Sequence, residues 1–345
     1  MTTALITGGA GFFGEVLVRR LLDSGVECVS IDLEPPTITD PHLRSVQGSI
    51  CDEHLLDGLF REHRFDTVFH CAAILAHAVK DEKFLWECNV EGTRTLARVT
   101  AAHRAPKVVF ISSNCLWGES LHRPVTEDDE PRPIEIYGRS KWEGEKILLG
   151  HAQDFDCVIL RSPTIMGDGR LGLMSILFEF IREGRKVWVV GSGENRYQFV
   201  AARDLAEACL LGAAHPGSGV YNIGSDNVRP LREVYQYVID GAGTGARVAS
   251  LPKAPTLAAM QLASVLKISP LGPYHRRMIA EDFIFDTTRI KAELGWRPTL
   301  SNEEMLAEAY KAYERDLNDI RSRTDASAHR TPAPMGVIRV LKWLS

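Results

Sequence analysis

TGGAGFFG, residues 7–14, follows the short apolar run 4–6 and precedes a segment with a helical pattern, 15–22. A strand, a glycine turn and a helix in this order predict a phosphate-binding turn. Gly8, Gly11 and Gly14 remove side chains where the turn tightens, where the backbone approaches a pyrophosphate and where the helix packs on the strand. The N-terminus of the helix then directs N–H groups and partial positive charge at the anion.

A second apolar strand, residues 26–31, ends in Asp32. The acidic residue comes about twenty residues after the turn, where a carboxylate can accept hydrogen bonds from both ribose hydroxyls of an adenosine. No arginine lies beside Asp32 to pair with a 2′-phosphate. The sequence therefore predicts a dinucleotide site and favours NAD over NADP.

Composition narrows the class of protein. The chain has 345 residues, 45% of them hydrophobic, and a formal net charge of −5, so we expect a large core and no general attraction for nucleic acid. No apolar run approaches the ~18 residues of a membrane helix, and the N-terminus lacks the pattern of a signal segment, so we expect a cytoplasmic protein. The seven cysteines form no C-x-x-C pair, which predicts reduced thiols and no metal site.

Apolar strand candidates alternate with helical patterns along the first half of the chain. This alternation predicts an α/β fold with a Rossmann-type, doubly wound parallel sheet that is covered by helices on both faces. The predicted strands are 4–7, 26–31, 43–46, 67–70, 107–111 and 157–160, and the longest predicted helices are 84–103 and 137–149.

After Ser162 the pattern changes to a glycine-rich segment, a helix at 174–183 and a strand at 187–190. We expect a smaller α/β substrate lobe that is interleaved in sequence with the sheet, because the β-like run 221–223 returns to it. The predicted division is a cofactor domain of residues 1–165 with 195–225, a substrate lobe of 166–194 and 226–317, and a tail of 318–345. A helix at 302–317, with Ser301 or Asn302 as N-cap, ends the packed part, and 337–344 is expected to dock on the protein.

The catalytic pattern is YGRSK, residues 137–141, together with Ser113 after the strand 107–111. Tyr137 and Lys141 are four residues apart, so a helix brings them to one face. A free phenol titrates near ~10, and a nearby cation favours its ionised form. Ser113 can hold the substrate oxygen. The set predicts proton removal from an alcohol while its carbon gives hydride to a nicotinamide.

Together these motifs resemble the extended short-chain dehydrogenases/reductases, the superfamily of nucleotide-sugar epimerases and dehydratases, from residue 2 to about residue 310. The markers are TGGAGFFG at 7–14, Asp32, HCAA at 70–73, NVEGT at 89–93, SS…WG at 112–118, YGRSK at 137–141, Arg161, YNIGS at 221–225 and FDTTRIKAELGWRP at 285–298. The resemblance implies bound NAD, and a homodimer in which helices 84–103 and 137–149 pair with their copies.

Carried over to this chain, the resemblance makes Tyr137 the base, Lys141 its electrostatic partner and Ser113 the serine that binds the hydroxyl. The residues expected at NAD are Gly8, Gly11, Phe12, Phe13, Gly14, Asp32, Leu33, Ser49, Ile50, Cys71, Ala72, Ala73, Asn89, Tyr137, Lys141 and Pro163. Those expected at the substrate are Ser113, Asn114, Thr164, Arg196, Arg276 and Arg277. At position 49 the family usually has Asp, so Ser49 is expected to make a weaker hydrogen bond.

Two departures from the family pattern concern the reaction. Dehydratases and decarboxylases of the family usually have an acidic residue just after the catalytic serine or threonine, whereas this chain has Asn114 and Cys115. No carboxylate is then ready for water loss or decarboxylation, and Cys115 is expected to serve packing. What remains is hydride chemistry at one carbon, in which a keto intermediate either takes hydride back on its other face or leaves as product.

The diphosphate motifs also differ. The first reads Arg161-Ser-Pro-Thr164, and the second reads Asn195-Arg-Tyr-Gln-Phe199 with its arginine shifted by one residue. Arg196 with Arg276 or Arg277 is still expected to clamp a diphosphate, because guanidinium binds phosphate in a bidentate manner.

Three functions remain open. The first is a nucleotide-sugar epimerase that acts by transient oxidation, most readily at C4. The second is an NAD-dependent dehydrogenase of a 3β-hydroxysteroid-like or other hydrophobic alcohol, which Thr164 and the shifted arginine favour. The third is a regulatory or scaffold protein without turnover, against which the intact set of Ser113, Tyr137 and Lys141 argues.

Overall fold

The computed structural model describes residues 1–75, 81–266 and 273–318. Its strands are β1 (Thr3–Thr7), β2 (Glu27–Asp32), β3 (Leu43–Gln47), β4 (Thr67–His70), β5 (Lys107–Ser113), β6 (Asp156–Ser162), β7 (Thr164–Met166), β8 (Lys186–Val190), β9 (Phe199–Ala201), β10 (Gly219–Asn222) and β11 (Arg247–Leu251). Its α-helices are α1 (Phe12–Asp23), α2 (Glu53–Glu62), α3 (Glu82–Trp86), α4 (Gly92–Ala102), α5 (Ile136–Leu149), α6 (Met174–Arg182), α7 (Ala202–Ala214), α8 (Leu231–Ala242), α9 (Lys253–Val265), α10 (Pro273–Met278), α11 (Thr288–Glu293) and α12 (Asn302–Arg315).

Seven strands form one parallel sheet in the order β10-β6-β5-β4-β1-β2-β3, which confirms the predicted Rossmann-type architecture. β1 and β4 are neighbours, and the chain adds strands to opposite sides of this pair. Ligands of such sheets bind at the carboxyl ends of the strands, at the point where the strand order reverses. The turn after β1, the residues after β4 and Ser113 at the end of β5 therefore meet at one edge.

Both faces of the sheet are buried under helices, and successive residues of a strand pack into opposite cores. In β1, Ala4 and Ile6 face a core formed with α1, α7 and α11, whereas Leu5 faces a core formed with α2, α4 and α5. Side chains of a strand alternate between faces, so a short, wholly apolar strand is the pattern of a sheet that is covered on both sides.

The smaller lobe is built around the parallel pair of β8 and β11 and the helices α6, α8 and α12. A second parallel pair, β7 with β9, leads from the sheet into this lobe. The helix α12 begins with a capping box, in which Ser301 and Glu304 each accept from the backbone N–H of the other. Such a box satisfies N–H groups that the first helical turn leaves without partners.

The predicted helix 84–103 is divided in the structure. α3 and α4 are separated by a π-helical turn, Glu87–Glu91, which contains Asn89. A π-turn accommodates one extra residue in the helix and is common at functional sites. Hydrophobic spacing does not reveal this division, because buried residues continue through the break, at Cys88–Val90, and into α4.

Two further expectations concern the whole chain. Within the described ranges, no helix is long and apolar enough to cross a membrane. The expected docking helix at 337–344, and all of the tail beyond residue 318, lie outside the described residues.

Candidate active site

The glycine turn leaves no room for side chains at two of its positions. Gly8 has a φ of +75°, and a Cβ there would lie 2.7 Å from backbone atoms of Ala72. A Cβ at Gly14 would lie 1.9 Å from the carbonyl oxygen of Gly8. The turn is therefore held tightly against β4, and α1 begins directly after Gly11 with its free N–H groups at the cleft.

Asp32 is fixed at the end of β2. Its Oδ2 accepts from the backbone N–H of Ala10 at 2.9 Å, and its Oδ1 accepts from that of Glu34 at 3.0 Å. It lines a cleft with Gly9 and Glu34, and Leu33 beside it is exposed. A fixed carboxylate can bind the adenosine ribose of a dinucleotide, and the neighbouring glycine-rich turn leaves space for its pyrophosphate.

The other residues expected at adenine lie at the end of β3. Ser49 Oγ accepts from the backbone N–H of Cys51 at 3.1 Å, and Ile50 is buried against α4. A Cβ at Gly92 would lie 2.7 Å from the Ile50 side chain, so the glycine permits this contact.

A buried polar network supports the residues after β4. His70 bridges the hydroxyls of Thr7 and Thr93, with both ring-nitrogen to oxygen distances at 2.8 Å. Burial and the charge of Lys141 lower the pKa of His70 to about 3, so the ring is neutral. Cys71 and Ala72 donate backbone N–H groups to the carbonyl and hydroxyl of Thr7. His70 belongs to the HCAA motif, but its contacts with Thr7 and Thr93 depend on how the strands and helices are arranged and could not be predicted from the motif.

Asn89 joins the segment after β4 to the catalytic helix. Its Oδ1 accepts from the N–H of Ile74 at 2.7 Å, and its Nδ2 donates to the Ile74 carbonyl and to Ser140 Oγ, both at 3.0 Å. Ser140 Oγ in turn donates to the carbonyl of Tyr137 at 2.8 Å. Ala73 lies between these anchors in the chain, so its backbone path is set from both sides.

α5 carries Tyr137 and Lys141, and Ser113 faces them from β5. The Ser113 side chain lies near the Tyr137 phenol and lowers its pKa, and Ser113 Oγ accepts from the N–H of Cys115 at 3.1 Å. Lys141 is buried, with Nζ 4.2 Å from the Phe110 ring centroid. Burial lowers the pKa of Lys141 to about 8 and raises that of Tyr137 well above its ordinary value.

Arg170 is a residue of this group that the sequence did not indicate. Its guanidinium carbon lies 5.8 Å from the centroid of the Phe12 ring, next to the glycine turn. Its positive charge lowers the pKa of Tyr137, which the charge of Glu135 raises. A cation that favours phenolate therefore comes from the segment after β7, which the sequence did not indicate.

An ionic pair lies behind the site. Arg161 donates to Glu145 at 2.8 Å, and Glu145 also accepts from Ser112 Oγ at 2.5 Å. Both charged side chains are buried, and the Arg161 guanidinium lies 5.3 Å from the Trp117 ring centroid. The pair connects β6 to the catalytic helix and leaves Arg161 no free face for a ligand.

Asn114 occupies the substrate side. Its Nδ2 donates to the hydroxyl of Tyr197 at 2.7 Å and to that of Tyr274 at 2.9 Å, and the two phenol oxygens are 3.1 Å apart. Thr164 also hydrogen-bonds to Tyr197, and Pro163 lies buried just before it at the end of β6. Burial raises the pKa of Tyr197 to about 12. The two tyrosines were not expected at the site.

The three arginines of the predicted clamp come from two segments, the stretch before β9 and α10. Arg196 is exposed and lines a separate cavity of about 580 Å³ with Gln198 and Ser225, whereas Tyr197 points to Asn114. The physical reason is that consecutive residues of an extended chain face opposite sides, so a shift by one residue reverses the direction of the arginine. Arg277 pairs with Glu119 at 3.2 Å, and Arg276 is half-buried beside α10's Tyr274.

Comparisons with known proteins agree with this geometry. The family model described as "NAD dependent epimerase/dehydratase family" matches residues 4–224. The chain is 38% identical over 347 residues to "Uncharacterized protein y4nG" of Sinorhizobium fredii (strain NBRC 101917 / NGR234), which covers 99% of this chain and 86% of that protein. It is 27% identical over 328 residues to a UDP-glucose 4-epimerase of Mycolicibacterium smegmatis, with 90% and 97% covered.

The fold is also similar to that of solved structures. A UDP-glucose 4-epimerase of Thermotoga maritima, solved with UDP-glucose, superposes with a TM-score of 0.77 at 24% identity, over 92% of this chain and 100% of that one. The matched region of the family model spans the glycine turn, Asp32 and the segment with Ser113, Tyr137 and Lys141. The chain belongs to the NAD-dependent epimerase/dehydratase family, a branch of the extended short-chain dehydrogenases/reductases, and is an NAD-dependent enzyme.

Proposed function

We propose that the enzyme epimerises a nucleotide-linked sugar at C4 through transient oxidation, with Ser113, Tyr137 and Lys141 as its catalytic residues. The observation that carries the proposal is the placement of Ser113, at the carboxyl end of β5, close enough to the Tyr137 phenol to lower its pKa, with Lys141 buried on the same helix as Tyr137. The relatives named as UDP-glucose 4-epimerases support the sugar nucleotide.

In this mechanism the phenol of Tyr137 takes the proton of the substrate alcohol and returns it, while Ser113 orients the substrate oxygen. The glycine turn and Asp32 would hold NAD, whose nicotinamide would supply reversible hydride transfer at the same carbon. The charge of Arg170 lowers the pKa of Tyr137 against the burial that raises it. In the proposal, Lys141 on the same face of α5 adds a second cation for the phenolate. A keto sugar that turns over between the two transfers takes hydride on its other face, which inverts the carbon.

Two neighbouring residues argue against water loss or decarboxylation. Asn114 cannot transfer a proton, and both its N–H groups are held by phenols. Burial raises the pKa of Cys115 to about 12, so that side chain stays a neutral thiol. The proton chemistry of the proposal therefore rests on Tyr137 alone.

We place the diphosphate near Arg276 or Arg277 in this proposal, and no longer near Arg196, because Arg196 lines the other cavity. This position of Arg196 also favours the second candidate, a dehydrogenase of a hydrophobic alcohol, since two phenols stand where a cation was expected. The two functions use the same catalytic residues. They differ in the substrate, which carries a diphosphate only in the epimerase, and in the keto compound, which is reduced again by the epimerase but released by the dehydrogenase.

The deciding experiment incubates the NAD-loaded enzyme separately with UDP-glucose, UDP-galactose and a hydroxysteroid. Conversion of one UDP-sugar into the other, seen by NMR without lasting absorbance at 340 nm, is the expected result. Calorimetric titration with UDP, GDP, CDP and dTDP identifies the base, with Arg276→Ala and Arg277→Ala as variants and Arg196→Ala as the matched control. NADH that accumulates with the steroid, and no nucleotide binding at millimolar concentration, would establish the dehydrogenase instead.

A further inference from the structure

Two cysteine thiols meet beside the expected adenine site, although they are far apart in the sequence. Cys51 follows β3 and is partly exposed, whereas Cys88 is buried in the π-turn between α3 and α4. Cys51 Sγ lies 3.5 Å from the carbonyl oxygen of Glu87, the residue before Cys88. It also lies 3.4 Å from the position that a Cβ of Gly92 would occupy. The Cys51 sulfur is therefore packed against the helical turn that carries Cys88.

The two thiols differ in their exposure and in what they can do. Burial and, after it, the neighbouring Cys51 raise the pKa of the Cys88 thiol to about 11. Cys88 is therefore protonated at neutral pH and is a poor first nucleophile, since the thiolate is the reactive form. Cys51 is the thiol that a reagent from solvent reaches first. The pair thus has an exposed cysteine to react with an oxidant and a buried one to resolve the product.

Each cysteine adjoins a residue expected at NAD. Ile50 comes directly before Cys51 and is buried against α4. Asn89 comes directly after Cys88, and its side chain donates to the hydroxyl of Ser140 on α5. A bond between the two sulfurs needs a separation of about 2.05 Å, which is shorter than a non-bonded contact by roughly 1–2 Å. Forming this bond must therefore move the turn after β3 or the π-turn.

We propose that Cys51 and Cys88 are an oxidation site, at which a peroxide converts the two thiols into a disulfide that weakens NAD binding. The Cys51 sulfur attacks one peroxide oxygen, the O–O bond breaks, and water leaves while a sulfenic acid remains on Cys51. The Cys88 sulfur then attacks this sulfur, the S–O bond breaks, and the thiol proton leaves with the hydroxyl as a second water. The two thiols lose two electrons, which the peroxide gains, so that one disulfide and two waters are formed.

Tryptic peptide mapping tests the bond directly. Two expected tryptic peptides each contain a single cysteine, residues 45–61 with Cys51 and residues 84–94 with Cys88. The full chain is treated with hydrogen peroxide, the remaining thiols are alkylated, and the digest is analysed without reductant. We expect the two peptides to be linked, with a mass two hydrogens below their sum. In the same sample, calorimetry should show NAD binding weakened by roughly tenfold, about 1.4 kcal/mol, and restored by dithiothreitol.

Cys51→Ser and Cys88→Ser should yield no linked peptides, and their NAD affinity should not change with peroxide. Cys28→Ala is the matched control, because it removes a buried thiol whose sulfur contacts the carbonyl oxygen of Val26 at 3.4 Å. It should respond to peroxide as wild type does. Melting temperatures of the reduced proteins check that each variant folds.

Three outcomes would overturn the inference. The first is the absence of linked peptides from wild type, and the second is a linked protein that binds NAD normally. The third is a peroxide-treated Cys51→Ser that loses NAD affinity as much as wild type does. Neither readout uses a sugar substrate, so the result is independent of the proposed epimerase activity.

Discussion

Tyr137 and Lys141 lie in surroundings that oppose the charges they need. Burial raises the pKa of the Tyr137 phenol, and it lowers that of the Lys141 ammonium to about 8. Perturbed titrations of this kind cluster at functional sites, because catalysis requires groups poised near the operating pH. The nearby Ser113 side chain and the charge of Arg170 lower the pKa of Tyr137 and partly offset the effect of burial.

Tyr137→Phe tests the base directly. The phenylalanine keeps the ring and removes the hydroxyl, so we expect turnover to fall by roughly 10²–10⁴-fold, the usual contribution of a positioned acid or base. NAD affinity, measured by calorimetry, should change little because the glycine turn and Asp32 are untouched. Near-normal turnover in this variant would refute the assigned mechanism.

Lys141→Met tests the cost of the buried ammonium. Because the folded-state pKa is lower than that of the unfolded chain, the folded protein binds fewer protons between about pH 8 and pH 10.5. The buried ammonium therefore lowers the free energy of unfolding most below pH 8, and this penalty disappears as the pH rises to about 10.5. Methionine removes the penalty, so the variant should be more stable than wild type by about 3 kcal/mol at pH 7.

The measurement is urea unfolding of Lys141→Met and wild type at several pH values. The difference in free energy of unfolding should shrink as the pH is raised from 8 to 10.5, and other titrating groups cancel in the comparison. Turnover of the variant should be lost. A difference that is constant with pH would show that Lys141 is not buried as a cation.

At the scale of elements, α5 is positioned in part by close contacts with backbone atoms, which side-chain patterns do not predict. Gly138 packs against the loop after β5, and a Cβ at that position would lie 2.1 Å from the carbonyl oxygen of Cys115. The π-turn that holds Asn89 fixes the other side of the helix through Ser140. The catalytic geometry thus depends on backbone approach as much as on the residues that react.

Gly138→Ala should therefore separate α5 from the loop that carries Asn114 and Cys115. We expect a loss of stability of about 1–3 kcal/mol, typical of overpacking against backbone, and a marked loss of turnover. Gly58→Ala in α2 is the matched control, since its Cβ meets nothing within 4 Å. That control should gain about 0.5–1 kcal/mol from helix propensity. The measurement is thermal unfolding of both variants and wild type. Equal melting temperatures for Gly138→Ala and Gly58→Ala would contradict the packing argument.

At the scale of the whole molecule, the same helices offer a surface for a second copy. Phe84 at α3 and Leu149 at the end of α5 are large apolar side chains with exposed fractions of 39% and 37%. We propose a two-fold dimer through this face, as the family resemblance implies. Sedimentation at micromolar concentration should give the mass of a dimer, and the double variant Phe84→Glu with Leu149→Glu should sediment as a monomer. A monomeric wild type would exclude the dimer.

The sequence by itself determined the sheet and the chemistry of its edge. The signals were local, because each depends on the periodicity of apolar residues or on residues close in sequence. They are the apolar strands between helical patterns, the turn at 7–14 and the spacing of Tyr137 and Lys141. The sheet, its parallel order and NAD as cofactor are confirmed. The division of helix 84–103 was not foreseen, since a π-turn leaves the buried pattern intact.

Only the tertiary structure decided which distant residues lie beside Asn114. Tyr274 and Tyr197 reach Asn114 from sequence separations of 160 and 83 residues, and no local pattern reports such a contact. Arg196 lines a cavity with Gln198 and Ser225, because the direction of one residue in an extended segment depends on which face meets the sheet. The residues that we propose to react could be predicted from the chain because they are set by local spacing, whereas their neighbours Tyr197 and Tyr274 are brought there by long-range packing.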